Sequence, residues 1–194
     1  MVKYAWKKNI VGDGITVCVI DTGIYKHKDL HIDRILSKND IQDQDPGQNA
    51  HGTMVAGIIC AKGKKYCIGI APYSNLVSYN YIGTNQDGSD IEKLGEYMLK
   101  HKNKIDIFNN SWGPDPNYIF PSFNNVSQEE DLYYQFIDKL FGRLGKKGRK
   151  GKGNILCYSS GNASYPAEFI GPGQYEAKPY FNQVAYNGFL NSRY

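Results

Sequence analysis

The stretch Gly14-Ile15-Thr16-Val17-Cys18-Val19-Ile20-Asp21 decides the fold class of this chain. Between Gly14 and Asp21 it is short, rich in β-branched residues and almost continuously apolar. It lacks the alternation of a strand with one wet face, so both faces must be covered, as in the centre of a parallel sheet. Asp21 then stands at the carboxyl end of that strand, where open α/β sheets collect ligands and catalytic groups.

Three further segments read the same way: Leu76 to Tyr81, Ile105 to Asn110 and Asn154 to Tyr158. Helical patterns separate them. His51-Gly52-Thr53-Met54-Val55-Ala56-Gly57-Ile58-Ile59-Cys60-Ala61 suits a helix whose first turn meets a reaction centre and whose body is buried. Ser89 with Glu92 has capping-box spacing and opens a helix with Ile91, Leu94, Tyr97 and Met98 on one face, ending near Lys104. Ser127 with Glu130 repeats that signal before the stripe Leu132, Tyr133, Phe136, Ile137, Leu140, Phe141 and Leu144. Alternating strands and helices argue for βαβ units and a mainly parallel sheet. Cys67 to Pro72 reads as a buried lead-in to a turn, Gly12-Asp13-Gly14 as a turn, and residues 25 to 50 as a loop. Residues 1 to 13 are polar and aromatic, and those from 163 onward are rich in Pro, Gly and Tyr.

At 194 residues and 41% hydrophobic content the chain can bury one substantial core, which points to a single domain or most of one. The net charge of +4 is local, because Arg143, Lys146, Lys147, Arg149, Lys150 and Lys152 fall within one short stretch and leave the rest slightly acidic. That stretch reads as a solvated loop. A nucleic-acid partner is not expected, since its footprint would spread basic residues over a face with aromatics among them. No run is apolar enough to span a bilayer, and Met1 to Lys8 lacks the apolar core of a signal peptide, so nothing in the chain as written sends it out of the cytosol. Cys18, Cys60, Cys67 and Cys157 form no C-x-x-C pair, so no zinc site is expected, and a Cys60–Cys67 bridge stays open.

A lone histidine is more often structural than catalytic, so His51 needs partners. Asp21 and Asn162 supply them, both at strand ends on what should be one edge of the sheet. In acyl transfer a histidine takes the nucleophile's proton, a buried carboxylate fixes its tautomer, and a side-chain amide can stabilise the oxyanion.

Asp21-Thr22-Gly23, His51-Gly52-Thr53 through Val55-Ala56-Gly57, Ser111-Trp112-Gly113 and Ser160-Gly161-Asn162 resemble, in order and setting, the signature blocks of the subtilisin-like serine proteases. The opening Ala5-Trp6 through Gly12-Asp13-Gly14-Ile15, with Trp112-Gly113-Pro114, is most similar to the kexin or proprotein-convertase branch. The likeness is strongest over residues 5 to 165. It implies a three-layer α/β fold, a mainly parallel central sheet flanked by helices, with residues 1–194 forming one peptidase domain incomplete at its carboxyl end. It also implies that Asp21 orients His51, that His51 is general base and then acid, and that Asn162 donates to the oxyanion. Ser111, Trp112 and Gly113 would line the cleft against an extended polypeptide substrate.

The family's nucleophile lies in a Gly-Thr-Ser block well downstream of the oxyanion asparagine, and residues 1–194 contain no such block. Ser192, in Asn-Ser-Arg, lacks the glycine turn. The resemblance therefore implies a serine endopeptidase, inactive by itself, whose serine comes from a missing carboxyl-terminal segment or a second chain. The alternative is a catalytically inactive relative that binds a peptide or partner. An aspartic protease, which shares the Asp-Thr-Gly signature, would need a second Asp-Thr/Ser-Gly or a homodimer of a short all-β chain, and neither suits the helical stripe at 132 to 144. Kexin-like enzymes carry an acidic residue directly after the catalytic aspartate, where this chain has Thr22, so selection of paired basic residues is not expected. Asp29 matches a structural calcium ligand of the family. The loop that should add oxygen ligands is Lys62 to Lys65, so neither calcium nor any other cofactor is expected. Asn125-Val126-Ser127 and Asn162-Ala163-Ser164 match the glycosylation pattern, and only the first lies clear of the expected cleft.

Overall fold

The computed structural model describes residues 2–37, 50–82, 90–112, 128–159, 167–171 and 174–177. The elements run α1 (Val2–Lys7), β1 (Thr16–Asp21), α2 (His51–Cys60), β2 (Asn75–Asn80), α3 (Asp90–His101), β3 (Ile107–Asn110), α4 (Gln128–Lys147), a 3₁₀ turn (Arg149–Gly151), β4 (Ile155–Tyr158), β5 (Ala167–Gly171) and β6 (Gln174–Ala177). They fall into two compact units. One comprises Met1–Ser111 and Leu140–Cys157, the other Trp112–Lys139 and Tyr158–Tyr194.

In the first unit β1 is the strand that the apolar run predicts: every one of its residues is buried. It pairs in parallel with β2 on one side and β3 on the other, within a sheet of order β2-β1-β3-β4. Strand order reverses at β1, so the carboxyl ends of β1 and β3 flank the position where α/β sheets open a crevice. Asp21 is the last residue of β1, in register with Asn80 of β2, and Ile20 is in register with Asn110 of β3.

The two faces of β1 carry different helices. Val17 and Val19 join Ala56, Cys60 and Leu76 in one buried cluster. On the opposite face Cys18 Sγ lies 3.9 Å from the hydroxyl of Tyr97 in α3. That hydroxyl donates to the Leu36 carbonyl at 2.7 Å, and burial, then the Cys18 contact, raises its pKa. The expected layering of helix, sheet and helix thus holds around β1.

Three expectations need correction. The body of α2 is not buried all round: the small stripe Gly52, Ala56 and Cys60 meets the sheet, while Met54 and Ile58 are exposed among the described residues. Small side chains let the helix approach closely, which turns the large ones outward. The lead-in from Cys67 is not buried either. Ile68 and Ile70 are exposed because the segment is tied to the end of α2 by its backbone, Gly69 N–H to Ala61 O, Ile70 N–H to Ile58 O and Ala71 N–H to Ile59 O, each 2.8 Å. A side chain at Gly69 would stand 2.6 Å from the Ala61 nitrogen. Lastly, the basic stretch is no simple loop, since Arg143, Lys146 and Lys147 lie on α4, where cations near a carboxyl terminus offset its dipole.

Both serine-led helices start one residue after their expected cap, at Asp90 and Gln128, although Ser89 and Ser127 themselves lie outside the described residues. Of the stripe expected of α4, Ile137, Leu140, Phe141 and Leu144 are buried and Phe136 is half-buried. In the second unit β5 and β6 form an antiparallel pair that the sequence patterns do not reveal. Among the described residues no helix is long and apolar enough to cross a membrane.

Candidate active site

Asp21 and His51 meet. Asp21 is fully buried, and its carboxylate receives His51 Nδ1 at 2.8 Å from Oδ1 and 3.0 Å from Oδ2. The His51 side chain is 51% exposed. An ionised carboxylate only accepts hydrogen bonds, so Nδ1 carries a proton, and in the neutral ring the lone pair is then on Nε2. A histidine held this way can take a proton from a nucleophile at Nε2.

Local chemistry fixes the pair. The Thr22 N–H donates to Asp21 Oδ1 at 2.8 Å, orienting the carboxylate from its own turn. The Thr22 hydroxyl oxygen accepts from the Gly52 N–H at 3.0 Å, and the Thr53 hydroxyl oxygen accepts from the Tyr25 N–H at 2.9 Å. Helix α2 has no side-chain cap at Ala50, so Thr22 satisfies one of the orphan N–H groups of its first turn from across the site. The Asp-Thr-Gly turn and the His-Gly-Thr start are laced in both directions. Sequence reasoning missed this lacing, although Thr22 directly after Asp21 and Thr53 two residues after His51 were its signal.

Both glycines at this junction are required. A Cβ on Gly52 would lie 2.4 Å from the Gly23 carbonyl oxygen and 3.0 Å from Asp21 Cβ. Gly23 has φ +86°, a left-handed conformation that glycine adopts freely, and rests against the buried side chain of Asn80.

The β1–β3 register places Ser111, one residue beyond Asn110, on the same carboxyl edge as Asp21. Its hydroxyl oxygen accepts from Asn109 Nδ2 at 2.9 Å. Within the second unit Trp112 stacks edge-on against Tyr158 with ring centres 5.9 Å apart, and its carbonyl accepts from the Ser159 hydroxyl at 3.1 Å. Gly113 and Asn162 lie outside the described residues, as do both glycosylation patterns.

Asp29 is also buried, but its surroundings differ from those of a metal ligand. Its carboxylate accepts from the N–H groups of Lys65 at 2.7 Å, Tyr66 at 2.8 Å and Cys67 at 3.3 Å. Burial by itself would raise its pKa, and these donors outweigh burial and hold the carboxyl below its ordinary value. Donors of N–H already occupy both oxygens, so this set does not fit a calcium ion, which needs six to eight oxygens. Among the described residues no group of three or more histidines, cysteines or carboxylates could hold a metal ion. All four cysteines are free, Cys60 and Cys67 included, and the Cys60 thiol accepts from the Ser74 hydroxyl at 3.1 Å.

The sequence profile of the Subtilase family matches residues 12–191. The chain is 29% identical over 171 residues to the minor extracellular protease Epr of Bacillus subtilis, a match over 86% of this chain and 25% of that protein. It is 31% identical over 175 residues to Furin-1 of Xenopus laevis, over 83% of this chain and 21% of that protein. Its fold is similar to the crystal structure of MycP1 with the N-terminal propeptide removed, with a TM-score of 0.55 at 22% identity, covering 87% of this chain and 51% of that one. The chain thus spans about a quarter or less of these two curated relatives.

Proposed function

The chain belongs to the subtilase family, with relatives in the kexin and proprotein-convertase branch, and from that membership we propose that it carries the Asp–His half of a serine endopeptidase. Residues 1–194 are read as part of one peptidase domain, and the nucleophilic serine as supplied by a segment outside them. His51 Nε2 takes the serine proton as the oxygen attacks the scissile carbonyl. Asp21 keeps Nδ1 protonated and stabilises the imidazolium that forms. Asn162 donates to the oxyanion of the tetrahedral intermediate, a contact whose loss costs about 10²- to 10³-fold in rate in subtilisin itself. The imidazolium then protonates the leaving amine, and water repeats the sequence on the acyl-enzyme. The substrate lies extended along Ser111, Trp112 and Gly113 and pairs through its backbone. Calcium has no part in this reading, which the N–H donors around Asp29 support. The observation that carries the proposal is the buried Asp21 carboxylate within 3.0 Å of His51 Nδ1 on a half-exposed ring.

The test is labelling of the protein from its native source with a serine-directed fluorophosphonate, read by intact mass. Stoichiometric labelling on a species larger than 21.9 kDa, abolished by His51→Ala, is expected. An unlabelled species of 21.9 kDa would replace this reading with that of a peptide- or partner-binding relative, to which the lack of a Gly-Thr-Ser block within residues 1–194 points.

A further inference from the structure

At the opposite end of the sheet from Asp21, the fold joins two basic segments that lie far apart in sequence. One is 100–106, where α3 ends and β3 begins. The other is 143–153, where α4 passes through the 3₁₀ turn toward β4. The Arg149 N–H donates to the Lys102 carbonyl and the Lys150 N–H to Asn103 Oδ1, both at 2.9 Å. The amide of buried Asn154 donates to the carbonyls of Lys102 at 2.9 Å and Ile105 at 2.7 Å. The single carboxylate in the two segments, Asp106, is already engaged by the Arg149 guanidinium at 2.8 Å and by the Thr16 N–H at 3.0 Å. Lys100, Lys104, Arg143, Lys147, Lys150 and Lys152 are all exposed. Lys150 is also held at φ +57°, a left-handed conformation that glycine would adopt at no steric cost. Burial first, and then the charges of Lys100 and Lys104, lowers the His101 pKa.

Like charges fixed side by side on rigid backbone repel one another unless an anion joins them. We propose that this face is an exosite for an acidic segment of a polypeptide. The two segments contain no Phe, Tyr or Trp on which bases could stack, against a nucleic acid. Their large apolar residues, Ile105 and Leu144, are fully buried, so none is left to enter a lipid surface. The five residue steps of β1 from Thr16 to Asp21 set the face about 16 Å from the catalytic pair at the usual rise per residue. An acidic segment bound there is therefore remote from any scissile bond, and its binding does not depend on catalysis.

The experiment is an anisotropy titration of a fluorescent decaglutamate peptide with the full chain at low salt. Saturable binding is expected, weakened at least about tenfold by the triple reversal Lys147→Glu, Lys150→Glu and Lys152→Glu. Lys64→Glu with Lys65→Glu, after α2, should change it less than about twofold. Lys150→Gly, which removes one charge and relieves the left-handed strain, should raise Tm and weaken binding about two- to threefold, so the idea stays testable if the triple variant fails to fold. No saturable binding, equal loss from both reversals, or a Lys150→Gly variant with unaltered affinity would overturn the proposal. So would tighter binding of duplex DNA or of phosphatidylserine vesicles than of decaglutamate.

Discussion

Gly52→Ala should lower the stability of the chain even though it replaces the second-poorest helix former with the best one. The added Cβ would sit 2.4 Å from the Gly23 carbonyl oxygen, 3.0 Å from Asp21 Cβ and 3.2 Å from Asp21 Oδ1. None of these can retreat cheaply. The Gly23 backbone is held at φ +86° with the Asn80 side chain behind it, and Asp21 is the last residue of a buried central strand. Overpacking of this kind costs about 1–3 kcal/mol. Ala in place of Gly returns about 0.8–1 kcal/mol in a helix interior, and less in a first turn. The net loss is about 1–2 kcal/mol, or roughly 2–8 °C in Tm for a chain of this size. Gly145→Ala is the control: it lies in α4 with nothing within 4 Å of its added Cβ. That change should raise Tm by about 1–4 °C through propensity alone. Thermal melts of the three proteins at one concentration decide the matter. A Gly52→Ala melt equal to or above wild type would refute the view that α2 is set against the Asp21 turn by backbone contact.

Asp29→Asn should lower Tm at neutral pH, because the carboxylate's bonds to three N–H groups lose their charge. The folded pKa lies below the ordinary 3.8, so the stabilisation is complete above that value and is lost as pH falls through the folded pKa. Melts across pH should show the gap between wild type and variant closing below about pH 4. Thiol labelling of the native protein with iodoacetamide should modify exposed Cys67 and Cys157 and spare Cys18 and Cys60 until denaturant is added. Burial pushes the Cys18 thiol up to about 12, which leaves almost no thiolate at neutral pH, and peptide mapping of the labelled sites checks the order. Phe108→Ala in β3 should cost about 3–5 kcal/mol in urea unfolding, since its side chain is fully buried.

Much of this was legible in the chain. The apolar run before Asp21 announced a strand covered on both faces, and β1 is one. The Val17/Val19 and Cys18 sides meet different helices because such a strand must bury both. The stripe ending at Leu144 announced α4 through its spacing. Helix α1 stayed hidden for the opposite reason: it buries none of its residues, so it has no apolar stripe, and the Trp6 indole ties it to the Ile70 carbonyl at 2.9 Å. The pattern from Cys67 to Pro72 misled because hydrophobic composition was read as burial, whereas backbone bonds to the end of α2 hold that segment on the surface.

The sequence by itself determined which residues are candidates, the end of a strand for Asp21 and the start of a helix for His51, because periodicity and turn chemistry are local properties that short windows record. Only the tertiary structure decided that the His51 ring reaches the carboxylate, that Thr22 and Thr53 lace the two segments together, that the oxygens of Asp29 meet N–H groups, and that hydrogen bonds join residues 100–106 to 143–153. Those outcomes rest on groups brought together across about 30 to 50 positions of chain, and in all but the His51–Asp21 pair one partner is a backbone N–H or C=O. Every residue but proline carries the same backbone N–H and C=O, so the side-chain pattern marks the candidates without fixing which backbone group each will meet.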